Sequence, residues 1–128
     1  MNQAKQLKVL VVDDSILITD RISEMVSELG CVSDVFISGD YSGAVKTLSE
    51  NTPDLVLLDI HLTEKSGIDV LQYTRENHPS VKVIMVTNKA TGYYRELCSG
   101  LGSHHFIDKS KEFETIPQII ESYADVQL

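Results

Sequence analysis

Four short stretches carry side chains that could do chemistry together: VVDDS at 11–15, LVLLDIHL at 55–62, VIMVTN at 83–88 and HHFIDKS at 104–110. Each runs an apolar segment into polar residues: Asp13 and Asp14, then Asp59, then Thr87, then Lys109. Three carboxylates gathered at one point repel, and they cannot all ionise cheaply without a cation. Hard oxygen ligands that leave room for water suit Mg²⁺, which takes only one or two carboxylates. A metal beside Asp59, together with the Lys109 ammonium, would neutralise an incoming phosphoryl group. Asp59 is then a candidate nucleophile that forms an aspartyl phosphate, and Thr87 could hydrogen-bond a phosphoryl oxygen. Taken singly, each residue has a plainer reading, such as a helix cap for Asp14 or Ser15 and a surface charge for Lys109. Their shared place at the ends of apolar runs is what points to a site.

Five apolar runs must position these residues: 7–12, 32–37, 54–60, 81–87 and 104–107. Three are nearly continuous rather than alternating, as expected of strands covered on both faces of a parallel sheet. Helical periodicity fills the intervals. Ile18, Ile22, Met25, Val26 and Leu29 form one stripe after a Ser15 cap, and Ala44, Val45 and Leu48 mark a second helix before Pro53. Ile68, Leu71 and Thr74 mark a third, and Tyr94, Leu97 and Leu101 a fourth, closed by Gly100 or Gly102. Ile116, Ile120 and Tyr123 mark a fifth, which Pro117 requires to start near Thr115. The βαβαβαβαβα order predicts an α/β, doubly wound parallel sheet with right-handed crossovers. Ligands of such sheets bind beyond the carboxyl ends of the strands, where the acids, Thr87 and Lys109 fall.

At 128 residues the chain reads as one domain able to bury a core. Its 19 acids against 11 bases, net −8, argue against direct contact with nucleic acid phosphates or an anionic membrane surface. No leader-like segment and no membrane-length apolar run is present, so the expected location is cytoplasmic. Cys31 and Cys98 belong to no metal or redox pattern and are expected as reduced thiols in or near the core. His104 and His105, on opposite faces of a strand, are expected in structural roles rather than as joint ligands of one metal.

The ordered set VVDDS, LVLLDIHL with KSG at 65–67, VIMVTN and HHFIDKS resembles the receiver domain of two-component response regulators. The likeness runs from about Lys8 to about Tyr123, within a single domain 1–128 whose core is about 8–124. It implies a CheY-like, flavodoxin-like (βα)5 fold with five parallel strands in the order 2-1-3-4-5. It also implies that Asp59 is the phosphoacceptor, supplied by a sensor histidine kinase or a histidine phosphotransfer protein. Asp14, Asp59 and the backbone carbonyl of His61 would ligate Mg²⁺, with Asp13 acting through a water. Lys109 would contact the phosphoryl group, and Thr87 and Phe106 would form the conformational switch. The chain would catalyse only its own phosphorylation and dephosphorylation.

Several positions depart from the family pattern. Thr63 stands where proline is usual, Asn88 where Ala or Gly is common, and Ser110 where proline follows the lysine through a cis bond. Without proline, cis costs about 3–4 kcal/mol, so a trans bond in a reshaped loop or a strongly held cis bond is expected. His61, Asn88 and Lys89 stand where phosphoryl lifetime would be tuned, with His61 expected to obstruct the mouth. Phe106 has no hydroxyl, so its switch is expected to be governed by packing alone. The signal would leave through a downstream target on the face of helix 4, strand 5 and helix 5, or through a homodimer. One ring of Tyr93–Tyr94 should be exposed on that face. The alternatives are a pseudo-receiver that binds partners without phosphorylation and, more distantly, a haloacid dehalogenase-like phosphatase. The latter would want an acid where His61 stands.

Overall fold

The computed structural model describes residues 6–124; the ends of the predicted domain, 1–5 and 125–128, lie outside the described residues. Five strands alternate with five helices: β1 (Leu7–Val12), α1 (Ile16–Ser27), β2 (Val32–Ser38), α2 (Tyr41–Asn51), β3 (Leu55–Leu58), α3 (Gly67–Asn77), β4 (Lys82–Thr87), α4 (Gly92–Gly100), β5 (His105–Asp108) and α5 (Ile116–Ala124). All neighbouring strands pair in parallel, in the order β2-β1-β3-β4-β5. The winding, the order and the five helices are those the sequence implies.

The continuous apolar strands are explained by the two cores. Because alternate side chains of a strand point to opposite faces, Leu55 and Leu57 of β3 pack with α1 and α5, through Ile22, Val26, Ile116 and Ile120. Val56 and Leu58 pack on the other face with Ala44, Leu48, Val70, Leu71 and Cys98 from α2, α3 and α4. All four β3 side chains are buried, so no polar residue fits until the strand ends.

Helix starts are set by side-chain caps. Ser15 accepts from Ile18 N–H, Asp40 from Gly43 N–H and Thr91 from Tyr94 N–H. Ser66 and Asp69 form a reciprocal capping box at α3. The last helix departs slightly from the sequence reading: a 3₁₀ turn, Phe113–Thr115, precedes α5, and Pro117 takes the second helical position. β5 is also shifted by one residue, beginning at His105 and ending at Asp108. Cys31 is partly buried and Cys98 fully buried, as expected. Among the described residues no helix is long and apolar enough to cross a membrane.

Candidate functional site

The parallel register brings the strand ends together. Val12 sits beside Leu58, Leu58 beside Met85, and Thr87 beside Asp108. The ladder continues one step further, with Asp59 N–H donating to the Val12 carbonyl at 3.0 Å and Lys109 N–H to the Thr87 carbonyl at 2.9 Å. Asp13 and Asp59 therefore leave the sheet side by side, with Lys109 at the same rim beyond β4.

Their side chains meet. The Lys109 Nζ lies 2.6 Å from Asp13 Oδ2 and 2.9 Å from Asp59 Oδ2, and its side chain is only 8% exposed. The other oxygens are also engaged: Asp13 Oδ1 accepts Ser15 N–H at 2.9 Å, and Asp59 Oδ1 accepts Ile60 N–H at 2.7 Å. Burial alone would lower the lysine, but its hydrogen bonds to Asp13 and Asp59 win and raise it, so the ammonium stays charged. Burial pushes the Asp13 carboxyl up, against the opposing pull of Lys109. Two buried acids sharing one cation leave the locus short of positive charge.

The remaining predicted residues divide. Asp14 is exposed and takes no hydrogen bond or ion pair among the described residues, so the three acids do not all converge on the lysine. Thr87 is fully buried, and its hydroxyl accepts Lys89 N–H at 3.1 Å rather than touching the acids. His61, Asn88 and Lys89 are exposed. His104 and His105 do go separate ways: His104 Nδ1 accepts Val83 N–H at 3.1 Å, while His105 Nδ1 lies 2.9 Å from the Tyr123 hydroxyl. Tyr93 is 68% exposed, while Tyr94 packs towards the core.

Two expectations are refined or resolved. At Phe106 the Arg95 guanidinium lies over the ring, 4.8 Å from the centroid, a cation–π contact added to the packing that the sequence implies. Helical periodicity could not show this, since Arg95 is a surface charge on α4 and its partner is on β5. The Lys109–Ser110 bond is trans, as are the other described peptide bonds. Its loop is closed by Asp108 Oδ1, which accepts Ser110 N–H at 2.9 Å and Ser110 Oγ at 2.7 Å. Gly67 has a steric reason to be glycine: a Cβ there would collide with the Asp59 carbonyl oxygen and stand 2.9 Å from Ile60 Cα.

Among the described residues no three His, Cys, Asp or Glu side chains form a ready metal cage. The donor chemistry nevertheless fits Mg²⁺, which is bound through one or two carboxylates and keeps several waters. Asp14 has no partner among the described residues, and Asp13 and Asp59 hold more negative charge than Lys109 balances. A cavity of about 500 Å³ opens at the opposite end of the sheet, lined by Leu7, Pro53, Leu55, His78 and Lys82. It shares no residue with the acids.

Comparison with known proteins gives a consistent picture. Residues 9–121 match the family model described as the response regulator receiver domain. Over 119 residues the chain is 28% identical to the probable C4-dicarboxylate response regulator DctR of Bacillus subtilis, covering 93% of this chain and 53% of that protein. It is 31% identical over 115 residues to the sensory transduction protein LytT of Enterococcus faecalis, covering 90% and 47%. The chain thus spans about half the length of these curated relatives. In fold it is similar to a receiver domain protein (CheY-like) from Methanospirillum hungatei, with a TM-score of 0.86, 23% identity and coverage of 94% and 95%.

Proposed function

Because this chain belongs to the response regulator receiver family, we propose that it accepts a phosphoryl group on Asp59 and relays the change to a partner protein. The observation that carries this reading is the buried Lys109 ammonium held between Asp13 and Asp59. It supports the reading because a cation beside the proposed acceptor would meet an incoming phosphoryl oxygen, and electrostatic stabilisation of that kind dominates phosphoryl transfer.

The donor is a phosphohistidine on a sensor histidine kinase or a histidine phosphotransfer protein. A carboxylate oxygen of Asp59 forms the new O–P bond as the donor's P–N bond breaks, and the electron pair leaves with the imidazole nitrogen. Lys109 exchanges its contact with Asp59 for one with a phosphoryl oxygen, and Asp13 keeps the ammonium from swinging away. Asp14, Asp59 and the His61 carbonyl would hold Mg²⁺, with Asp13 acting through a water. When bound, the metal would supply neutralisation of the phosphoryl charge. Outside this self-directed reaction the chain is not an enzyme.

The phosphoryl group adds nearly two charges and three strong acceptors. Thr87 gives up the Lys89 N–H and turns its hydroxyl towards them, vacating space that Phe106 enters on leaving Arg95. The target binds the face of α4, β5 and α5, where Tyr93 is exposed. His61, Asn88 and Lys89 around the mouth set the phosphoryl lifetime.

Incubation with phosphoramidate, a small P–N donor, followed by intact mass tests the reading. One phosphoryl adduct is expected with Mg²⁺ and none with EDTA or in Asp59→Asn. No adduct from phosphoramidate or from phosphorylated histidine kinases would favour a phosphorylation-independent interaction module instead.

A further inference from the structure

The turn that presents Lys109 is fastened mainly through its neighbours. Asp108, the last residue of β5, has both backbone groups taken by Glu112. Its N–H donates to Glu112 Oε1 at 2.8 Å, and its carbonyl accepts Glu112 N–H at 2.7 Å and Lys111 N–H at 3.2 Å. The Asp108 carboxylate closes on Ser110, as described above. Glu112 also reaches sideways, with Oε1 3.6 Å from Arg95 Nη2, and the same guanidinium covers Phe106. One carboxylate thus joins the lysine-bearing turn to α4 and, through Arg95, to the Phe106 ring.

We propose that Glu112 is a positioning residue for Lys109. A lysine side chain has a long flexible stem, so its ammonium bridges two carboxylates at 2.6 and 2.9 Å only if its Cα is held in one place. The Lys109 N–H is itself tied to the Thr87 carbonyl, and the charge-assisted bond from Asp108 N–H to Glu112 adds a restraint on the residue before it. The Arg95–Glu112 pair is itself 42% and 46% exposed, so it contributes little to global stability. The role is therefore one of placement: changing Glu112 alters the site while leaving the fold nearly as stable.

The kinetic part of this inference rests on the phosphoryl-accepting reading, whereas the placement of the ammonium does not. The test uses the full chain as wild type, E112Q and E112A, with thermal melts to establish equal folding. In metal-free protein, ¹⁵N-detected NMR of the Lys109 ammonium reports its confinement directly. A slowly exchanging signal is expected in wild type and in E112Q, whose amide oxygen still accepts Asp108 N–H. In E112A the signal should broaden, and phosphoryl uptake from acetyl phosphate should fall about tenfold, within the range a small misplacement of a reacting group costs. An unchanged Lys109 signal in E112A, or equal loss in E112A and E112Q, would overturn the proposal. Failure of the wild type to take up phosphate from any donor would instead count against the proposed function, and the ammonium signal would still decide the role of Glu112.

Discussion

A single methyl group tests how closely Asp59, the proposed acceptor, is held. Gly67 opens α3 with its N–H donated to the Ile60 carbonyl at 2.7 Å, and its Cα faces the backbone of Asp59 with no room for a Cβ. Gly67→Ala must move either α3 or the acceptor peptide, at an expected cost of about 1–3 kcal/mol, the range for overpacking. Urea unfolding would read this as a lower midpoint, and phosphoryl uptake should fall with it; a midpoint equal to wild type would mean the loop adjusts freely. At this scale the sequence shows the chemistry but not the mechanics. Asp13, Asp59 and Lys109 are legible because strand ends must converge. Arg95 and Glu112 are not, because single surface charges follow no period and their partners lie on other elements. Nor does the sequence tell which of the two adjacent acids takes the lysine: it is Asp13, while Asp14 is exposed.

Elements were more legible, since apolar periodicity is a property of many residues at once. What escaped were the joints, where one or two hydrogen bonds decide. At the start of β5, His104 Nδ1 must be unprotonated to accept Val83 N–H. Burial lowers this histidine, and nearby Lys82 and Arg75 act in the same direction. A folded pKa below the ordinary 6.5 means that the unfolded chain takes the proton first. Stability from His104 is therefore full above about pH 6.5 and is lost as the pH falls below it. The drop in melting temperature between pH 7.5 and 5.5 should shrink in His104→Asn, and an identical drop would show that other groups carry it. A second joint is Thr52, the C-cap of α2, with φ 45° in the left-handed region that β-branched residues avoid. Thr52→Asn should raise stability by about 1 kcal/mol, since asparagine tolerates that conformation better. Chemical denaturation would measure it, and a lower midpoint would contradict it.

In the whole molecule, the two cores exist to bring one rim of the sheet together. Leu55 and Leu57 anchor one face and Val56 and Leu58 the other, so β3 can end in only one direction, at Asp59. Excess negative charge at that rim has a thermodynamic consequence. If Asp14 and Asp59 hold Mg²⁺, the ion binds the folded state alone and stabilises it by RT ln(1 + [Mg²⁺]/Kd), about 2.7 kcal/mol at a hundredfold excess over Kd. Calorimetric melts should rise with Mg²⁺ and rise less in Asp14→Asn; a wild-type melting temperature unmoved at millimolar Mg²⁺ would remove the metal from the account. The proposed acceptor is Asp59 and no other acid. Borohydride reduces an acyl phosphate to an alcohol, so treating the Mg²⁺-phosphorylated chain and mapping its peptides by mass spectrometry locates the acceptor. Homoserine at position 59 alone is the predicted result. Reduction at Asp13 or Asp14, or at no acid in a chain that carries the adduct, would contradict it.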